Sequence, residues 1–411
     1  MNFKILQANN YHFNKGGSDR YFLDLVSSLK KRGCDVNTFS TFHENNVHLD
    51  WMLDSNHKVL NTSKFTSLGQ IKSFFYNQGI YDSLMSSLGQ SNYDVAHLHI
   101  IYGQLSSSIF SALRKNGVPI VQSLHDLKLI CPAQISTMDS KICNRCSVGK
   151  YMNGILNKCR KGSYLNSLLA VAENYTSLIF GQLNDVDMFI AMSNFQRTLL
   201  VSRGVPKEKI QVIHHGIECE GEPQLKEFEK IILYAGRVER DKGIEVLIRA
   251  FTKLGLSSWT LRVAGSGSDI ESMRSLAINL GIESQVQWLG LLSNHQLDKE
   301  YKDCAIFVNP SMLLETFGLT LIEAMRFGKA IIASRIGAFI EVVEEGVSGI
   351  LFEPGNVDEL CNHLTLLIED NVRREELGAE GFLRVKKYFS REKHINKLLN
   401  LYNEVIRSQS F

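Results

Sequence analysis

The chain has 411 residues, 44% of them apolar and 21% charged, which is too long for one ordinary core and predicts two domains of roughly 200 residues each. Lys+Arg 45 against Asp+Glu 43 leaves a net charge of +2, so a global nucleic-acid footprint is excluded and any attraction to phosphate must be local. Six prolines without low-complexity tracts exclude a disordered or fibrous chain, and neither a signal peptide nor an apolar run of about 18 residues is present, so a soluble protein of the reducing cytoplasm is expected.

Phe3–Ala8 reads as a first strand, Asn9–Gly17 as a polar loop, and Asp19–Lys31 as an amphipathic helix ended by Gly33, which together make a βα unit. Apolar runs at Asp94–Leu98, Val118–Gln122, Asp187–Ala191 and Ile210–Ile213 continue the rhythm and predict a mainly parallel sheet. Asp185 and Asp187 formally offer a metal-binding carboxylate pair, but they lead directly into a strand and read as a helix-to-strand connection with solvated acids.

Within this half, at about 126–162, lies an irregular, basic, Gly-containing insertion carrying Cys131, Cys143, Cys146 and Cys159, with Cys143-Asn-Arg-Cys146 as a CxxC. Such a loop has little apolar content to order it, and a tetrahedral zinc ion on four thiolates would supply that order. An iron–sulfur cluster uses the same ligand set, and disulfides or free thiols are further alternatives. Cys131 follows His125 closely, so the expected metal shapes a loop and takes no part in chemistry.

From Ile217 to Lys230 the chain turns polar and acidic, with Glu218, Glu220, Glu222, Pro223, Glu227 and Glu229, and reads as a linker. Five compact apolar runs follow, Ile231–Gly236, Thr260–Gly265, Val286–Leu289, Ala305–Asn309 and Ala330–Ser334, each before a helical segment. They predict a doubly wound α/β domain with ligand loops at the carboxyl ends of its strands. The expected division is 1–216 and 217–390, and residues 391–411 carry a helix with Ile395, Leu398, Leu399, Leu401, Tyr402 and Ile406 on its apolar face that either finishes the second domain or crosses back to the first.

Candidate chemistry concentrates in the second half. Gly236 and Gly243 frame Arg237 and Lys242 in a strand-to-helix turn suited to a diphosphate. Gly265-Ser266-Gly267 is short of a full dinucleotide fingerprint, and the loop of Gly290 and Leu291 could hold a base through backbone groups. Glu315 and Glu323 stand eight apart around the start of a helix predicted over Leu319–Phe327, with Gly318 where free amides favour phosphate. Glu323 is placed to accept from ribose hydroxyls and Glu315 from hydroxyls of a sugar, an arrangement that fits a sugar nucleotide.

In order and spacing, Gly16-Gly17-Ser-Asp-Arg-Tyr21, His125-Asp126, His214-His-Gly216-Ile, Gly236-Arg237, Lys242-Gly243, Gly265-Ser-Gly267 and Glu315-Thr-Phe-Gly318 with Glu323 resemble the retaining glycosyltransferase family 4, whose members have the two-domain GT-B fold. The resemblance spans almost the whole chain. It implies two Rossmann-like domains facing across a cleft, and transfer of a sugar from a nucleoside-diphosphate donor to the hydroxyl of a glycan or lipid-linked acceptor, with retention and no catalytic metal. It further implies that Arg237 and Lys242 hold the diphosphate, that the Thr316, Phe317, Gly318 and Leu319 region contacts phosphate or sugar, that His125 meets the sugar, and that Gly16 and Gly17 admit donor phosphate or acceptor. His215 and Asp241 depart from the common family wording, where Asn and Glu are frequent. A sugar-nucleotide epimerase of the same fold and a non-catalytic, metal-dependent binding protein are the competing functions. Lys30, Lys31 and Arg32, and Arg384, Lys386 and Lys387, read as solvated faces, with peripheral contact to an inner membrane as the alternative.

Overall fold

A computed structural model describes residues 3–47, 51–62, 65–134, 137–138, 141–223 and 228–409, so residues 224–227 of the acidic linker, Glu227 among them, lie outside the described residues. The chain divides into two compact units. The first runs to Ile213 and takes in Ile395 onward, and the second spans His214–His394.

In the first unit the strands are β1 (Lys4–Ala8), β2 (Asp35–Phe42), β3 (Met52–Lys58), β4 (Val95–Leu98), β5 (Ile120–Leu124), the short pair β6 (Thr137–Met138) and β7 (Lys141–Ile142), β8 (Met188–Ala191) and β9 (Ile210–Val212). Seven of them form one sheet in the order β3-β2-β1-β4-β5-β8-β9, parallel throughout. The strand order reverses between β1 and β4, which pair through Ile5↔Val95 to Ala8↔Leu98. The apolar pattern does not announce β2 and β3: β2 buries Thr38 and Ser40 among its apolar residues, and β3 (MLDSNHK) has little apolar content and lies at the sheet edge. β5 starts at Ile120 instead of Val118, because Pro119 has no N–H to give and the Ile120 amide donates to Asp187 Oδ2 at 2.7 Å.

The second unit holds β10 (Ile231–Ala235), β11 (Thr260–Ala264), β12 (Val286–Gly290), β13 (Ile306–Asn309), β14 (Ala330–Ser334) and β15 (Ile350–Phe352) in a parallel sheet ordered β12-β11-β10-β13-β14-β15. β15, only three residues long, is the strand the sequence pattern leaves out. Helix Ile244–Leu254 shows why these elements hold: Ile244, Leu247, Ile248 and Phe251 recur at helical spacing, all buried, and Gly255 at φ +63° ends the helix in a left-handed cap. Burying each such side chain contributes about 1.5–3 kcal/mol, and the same core takes in Leu261, Val308 and Ile332 from three strands.

The last helix, Arg391–Ser408, joins the first unit from Ile395 onward and buries Leu398, Leu401 and Tyr402. Among the described residues no helix is long and apolar enough to cross a membrane.

Candidate active site

In the second unit the strand order reverses between β10 and β13, and a crevice outside the carboxyl ends of the strands at such a reversal is where doubly wound sheets bind ligands. The loop after β10 carries Arg237 and Lys242, and the loop after β13 carries Ser311 and Glu315. Gly243 lets the two loops touch: it sits at φ +70°, and a Cβ there would lie 1.9 Å from the Pro310 carbonyl oxygen. The Met312 amide then donates to the Asp241 carbonyl at 2.9 Å. Lys242 Nζ reaches Glu315 Oε1 at 2.6 Å, and Ser311 Oγ donates to the same oxygen at 2.9 Å. Both ion-pair partners are about four-fifths buried, with side-chain exposures of 17% and 20%. Arg237 is exposed, and its backbone is held by the Tyr234 hydroxyl, which donates to the Arg237 carbonyl at 2.6 Å.

The loops after β11 and β12 support this edge. A Cβ on Gly265 would stand 1.8 Å from the Gly236 oxygen, and one on Gly267 would stand 2.1 Å from the Val238 oxygen. These glycines therefore serve close contact between loops, while the Ser266 side chain is exposed and its carbonyl accepts from the Val238 amide at 3.0 Å. The Gly265 amide donates to the Gly290 carbonyl at 2.8 Å, and Leu291 is left 81% exposed.

Helix Leu319–Met325 has seven residues, shorter than the predicted Leu319–Phe327, and begins after Gly318 at φ +110°. A Cβ at Gly318 would press to 2.8 Å from the Phe339 ring. Phe317 is buried, stacked on His214 at 6.0 Å and edge-on to His215 at 5.1 Å, while Thr316 and Leu319 are half-buried. His214 Nε2 is in turn 2.6 Å from Glu341 Oε1. Glu323 is buried, and its Oε2 accepts from the Tyr301 hydroxyl at 2.9 Å.

His125, Gly16 and Gly17 stand in the first unit. Gly16 precedes helix Gly17–Lys31 with extended backbone, and a Cβ there would meet nothing closer than 3.8 Å, so the fold itself does not require glycine. Two residues beyond Gly17 the carboxylate of buried Asp19 accepts from Asn9 Nδ2 at 2.9 Å, and burial raises its pKa. His125 follows β5, stacks on His99 at 5.3 Å and meets the edge of Tyr21 at 5.3 Å. Its ring nitrogen Nε2 lies 3.0 Å from His99 Nδ1. Burial lowers the His125 pKa to about 3, so the ring is neutral at physiological pH. Three residues further along the chain, Lys128 forms a buried ion pair with Glu173 at 2.5 Å.

All four clustered cysteines are reduced and line one cavity of roughly 250 Å³, together with Arg145, Lys158 and Arg203. Arg203 spans the CxxC turn, donating to the Cys143 carbonyl at 2.9 Å and the Cys146 carbonyl at 3.1 Å. Among the described residues no group of three or more His, Cys, Asp or Glu side chains is arranged to hold a metal ion.

Some readings change. Asp187 is not a merely solvated acid: it accepts from the Ile120 amide and, at 2.7 Å, from Gln409 Nε2, while Asp185 pairs with Arg114 at 2.9 Å. Arg384 pairs with Glu344 and donates to two carbonyls, so it is a structural cation. Ser311 and Tyr301 are the partners that sequence reasoning missed. Ser311 had a signal, standing four residues before Glu315 at the end of a strand, whereas Tyr301 on the preceding helix had none.

Profiles of two protein families match the chain: Glycosyltransferase Family 4 over residues 15–220 and Glycosyl transferases group 1 over residues 219–384. D-inositol 3-phosphate glycosyltransferase 1 of Catenulispora acidiphila is 26% identical over 77% of this chain and 73% of its own length. For several other relatives the chain spans little more than half their length, as with an uncharacterized glycosyltransferase of Methanocaldococcus jannaschii, 30% identical over 48% of this chain and 54% of its own. Among solved structures, sucrose-phosphate synthase from Thermosynechococcus elongatus superposes with TM-score 0.73 at 20% identity, covering 98% of this chain and 99% of that one. The Anabaena protein HepE in complex with UDP and glucose gives 0.70 at 18%, covering 98% and 100%. Both establish the fold, two Rossmann-like units of the GT-B type.

Proposed function

The chain belongs to glycosyltransferase family 4, and from that premise we propose that it is a retaining transferase moving a sugar from a nucleoside-diphosphate donor to the hydroxyl of a glycan or lipid-linked acceptor. The observation that carries this reading is the meeting of Lys242 with Glu315 at the strand-order reversal of the second sheet, where one cation and one hydroxyl-accepting carboxylate are held within 2.6 Å of each other. Lys242 and Arg237 take the diphosphate, Glu315 the sugar hydroxyls and Glu323 the ribose, and His125 is a sugar-contacting residue. The acceptor oxygen bonds to the anomeric carbon on the face that the leaving group vacates, the carbon–oxygen bond to the diphosphate breaks, and the acceptor proton passes to the departing phosphate oxygen. Fixed cations stabilise the charge that develops on the leaving group. UDP-sugars are the first donors to try, because HepE was captured with UDP and glucose.

The test is a panel of nucleotide sugars screened for protection against thermal unfolding, followed by NMR assignment of the anomeric configuration of donor and product. Arg237→Ala, Lys242→Ala and Glu315→Ala should each lower turnover by orders of magnitude with the fold retained. Unchanged turnover in all three, or inversion in the product, overturns the reading.

For the cysteine segment we propose a structural zinc ion on Cys131, Cys143, Cys146 and Cys159, outside the transfer chemistry. Support comes from four reduced thiols around one cavity, whose lining cations Arg145, Lys158 and Arg203 suit the net negative charge of a tetrathiolate site. Metal analysis should find one zinc per chain, lost in Cys143→Ser/Cys146→Ser; intact thiols with no metal, or with iron, defeat the assignment.

A further inference from the structure

Beneath His125 the first unit contains a row of buried polar side chains that the proposed chemistry does not use. Gln7 on β1, His97 on β4, His99, Ser123 on β5 and Tyr402 of the last helix are all less than 2% exposed. Their contacts form a line. His125 Nε2 is 3.0 Å from His99 Nδ1, and His99 Nε2 is 2.7 Å from Gln7 Oε1. Gln7 Nε2 is 3.2 Å from the Tyr402 oxygen, which is 2.6 Å from His97 Nδ1, and His97 Nε2 is 2.8 Å from Ser123 Oγ.

With the Gln7 amide oriented as it is, nitrogen toward Tyr402 and oxygen toward His99, hydrogen-bond chemistry sets the sense of every link. A Gln oxygen only accepts and a Gln nitrogen only donates. His99 must therefore carry its proton on Nε2 to serve Gln7 Oε1, which leaves Nδ1 to accept from His125 Nε2–H. On the other side Gln7 donates to the Tyr402 oxygen, so the hydroxyl proton goes to His97 Nδ1 and His97 Nε2–H goes to Ser123. Each neutral imidazole has one donor and one acceptor; the chain engages both nitrogens of His97 and of His99, and Nε2 of His125. Reversing Gln7 would reverse all five bonds together, so the row has two self-consistent polarities and the structure takes one.

We infer that Gln7 and Tyr402 are positioning residues for His125: Gln7 sets the polarity of this chain, Tyr402 joins its two halves, and together they hold His125 in the Nε2–H tautomer. Burial keeps the members in the states this requires. The Tyr402 hydroxyl is pushed well above its usual range and stays protonated, and His125 stays neutral. The three imidazoles lie in line, with ring centroids 4.3 Å apart for His97 and His99 and 5.3 Å apart for His99 and His125. A His that meets a sugar must present a fixed donor or acceptor pattern, since a wrong tautomer turns a hydrogen bond into a repulsion.

The inference rests on the reading of His125 as a sugar-contacting residue, and the test separates the two. Histidine-selective nitrogen-15 labelling of the full chain should show His97, His99 and His125 each as a single Nε2–H tautomer. Tyr402→Phe leaves the two halves joined only by the 3.5 Å contact of Gln7 Nε2 with His97 Nδ1 and lets the Gln7 amide turn over, so His125 should become a tautomer mixture, with kcat falling roughly tenfold and KM staying within about twofold. Gln7→Glu offers acceptors at both ends, so Tyr402 must donate to it and His97 must switch to Nδ1–H. A Tyr402→Phe protein with wild-type kcat and an unchanged His125 tautomer overturns the inference. Should that variant not fold, His97 remaining Nε2–H in Gln7→Glu overturns it equally. His125→Ala with undiminished turnover would instead remove the sugar-contact reading and leave the tautomer result standing.

Discussion

Glu315 neutralises the cation that a diphosphate would need, so Glu315→Gln should separate binding of the leaving group from transfer of the sugar. The replacement keeps shape and an oxygen for Lys242 and Ser311 but removes the charge. At 2.6 Å the Coulomb attraction is about 6 kcal/mol for an effective dielectric constant of about 20. Desolvating two groups that are each about four-fifths buried offsets most of it, leaving a coupling of about 1–3 kcal/mol. If about 1 kcal/mol of this opposes phosphate binding, the variant should bind the sugar-free nucleoside diphosphate about fivefold more tightly while its turnover collapses. Titration calorimetry with the diphosphate measures the first effect, and a double-mutant cycle of Glu315→Gln and Lys242→Met by urea unfolding measures the coupling. Diphosphate affinity unchanged in Glu315→Gln, together with a coupling below about 0.5 kcal/mol, would refute the reasoning.

Other perturbations follow from the same geometry. Gly243→Ala should cost about 1–2 kcal/mol for its left-handed backbone alone, and more for the collision with Pro310; a urea midpoint equal to wild type would contradict the contact between the β10 and β13 loops. Glu173→Gln leaves Lys128 buried without its partner and should lose about 3–5 kcal/mol, read by denaturant unfolding, and a loss below about 1 kcal/mol would show the pair to be dispensable. His125 has its folded pKa lowered to about 3, so the unfolded chain binds the proton first. Its contribution is complete above about pH 6.5 and fades as pH falls toward 3, at up to about 1.4 kcal/mol per pH unit. The acid limb of stability should therefore be shallower in His125→Gln than in wild type, and parallel limbs would count against the burial of this ring.

The strands that a reader could find in the sequence are those with continuous apolar runs, because both faces of a parallel sheet are covered and the run betrays them. β2, β3 and β15 escaped for opposite reasons. β2 carries polar side chains into the interior, β3 is an edge with few apolar residues, and β15 is too short to stand out. Arg237, Lys242, Glu315 and Glu323 could be named from loop position and spacing, since carboxyl-end loops of doubly wound sheets are read directly from strand order. Their partners could not. Ser311, Tyr301 and above all Tyr402 owe their roles to packing between segments far apart in the chain, and no local pattern records such a meeting. The glycines were legible as residues and less so as reasons: Gly265 and Gly267 make room for neighbouring backbone, while Gly16 has space it does not use.

The return of the last helix to the first unit has a consequence for biosynthesis. Gln7 and Tyr402 are 395 residues apart in the chain, so the whole of the second unit separates two side chains that share a hydrogen bond. During translation Gln7 and His97 are made well before Tyr402, the residue that bonds to both. Domains made early usually fold early; here the interior polar row of the first unit is complete only once Tyr402, made after the whole of the second unit, has joined it.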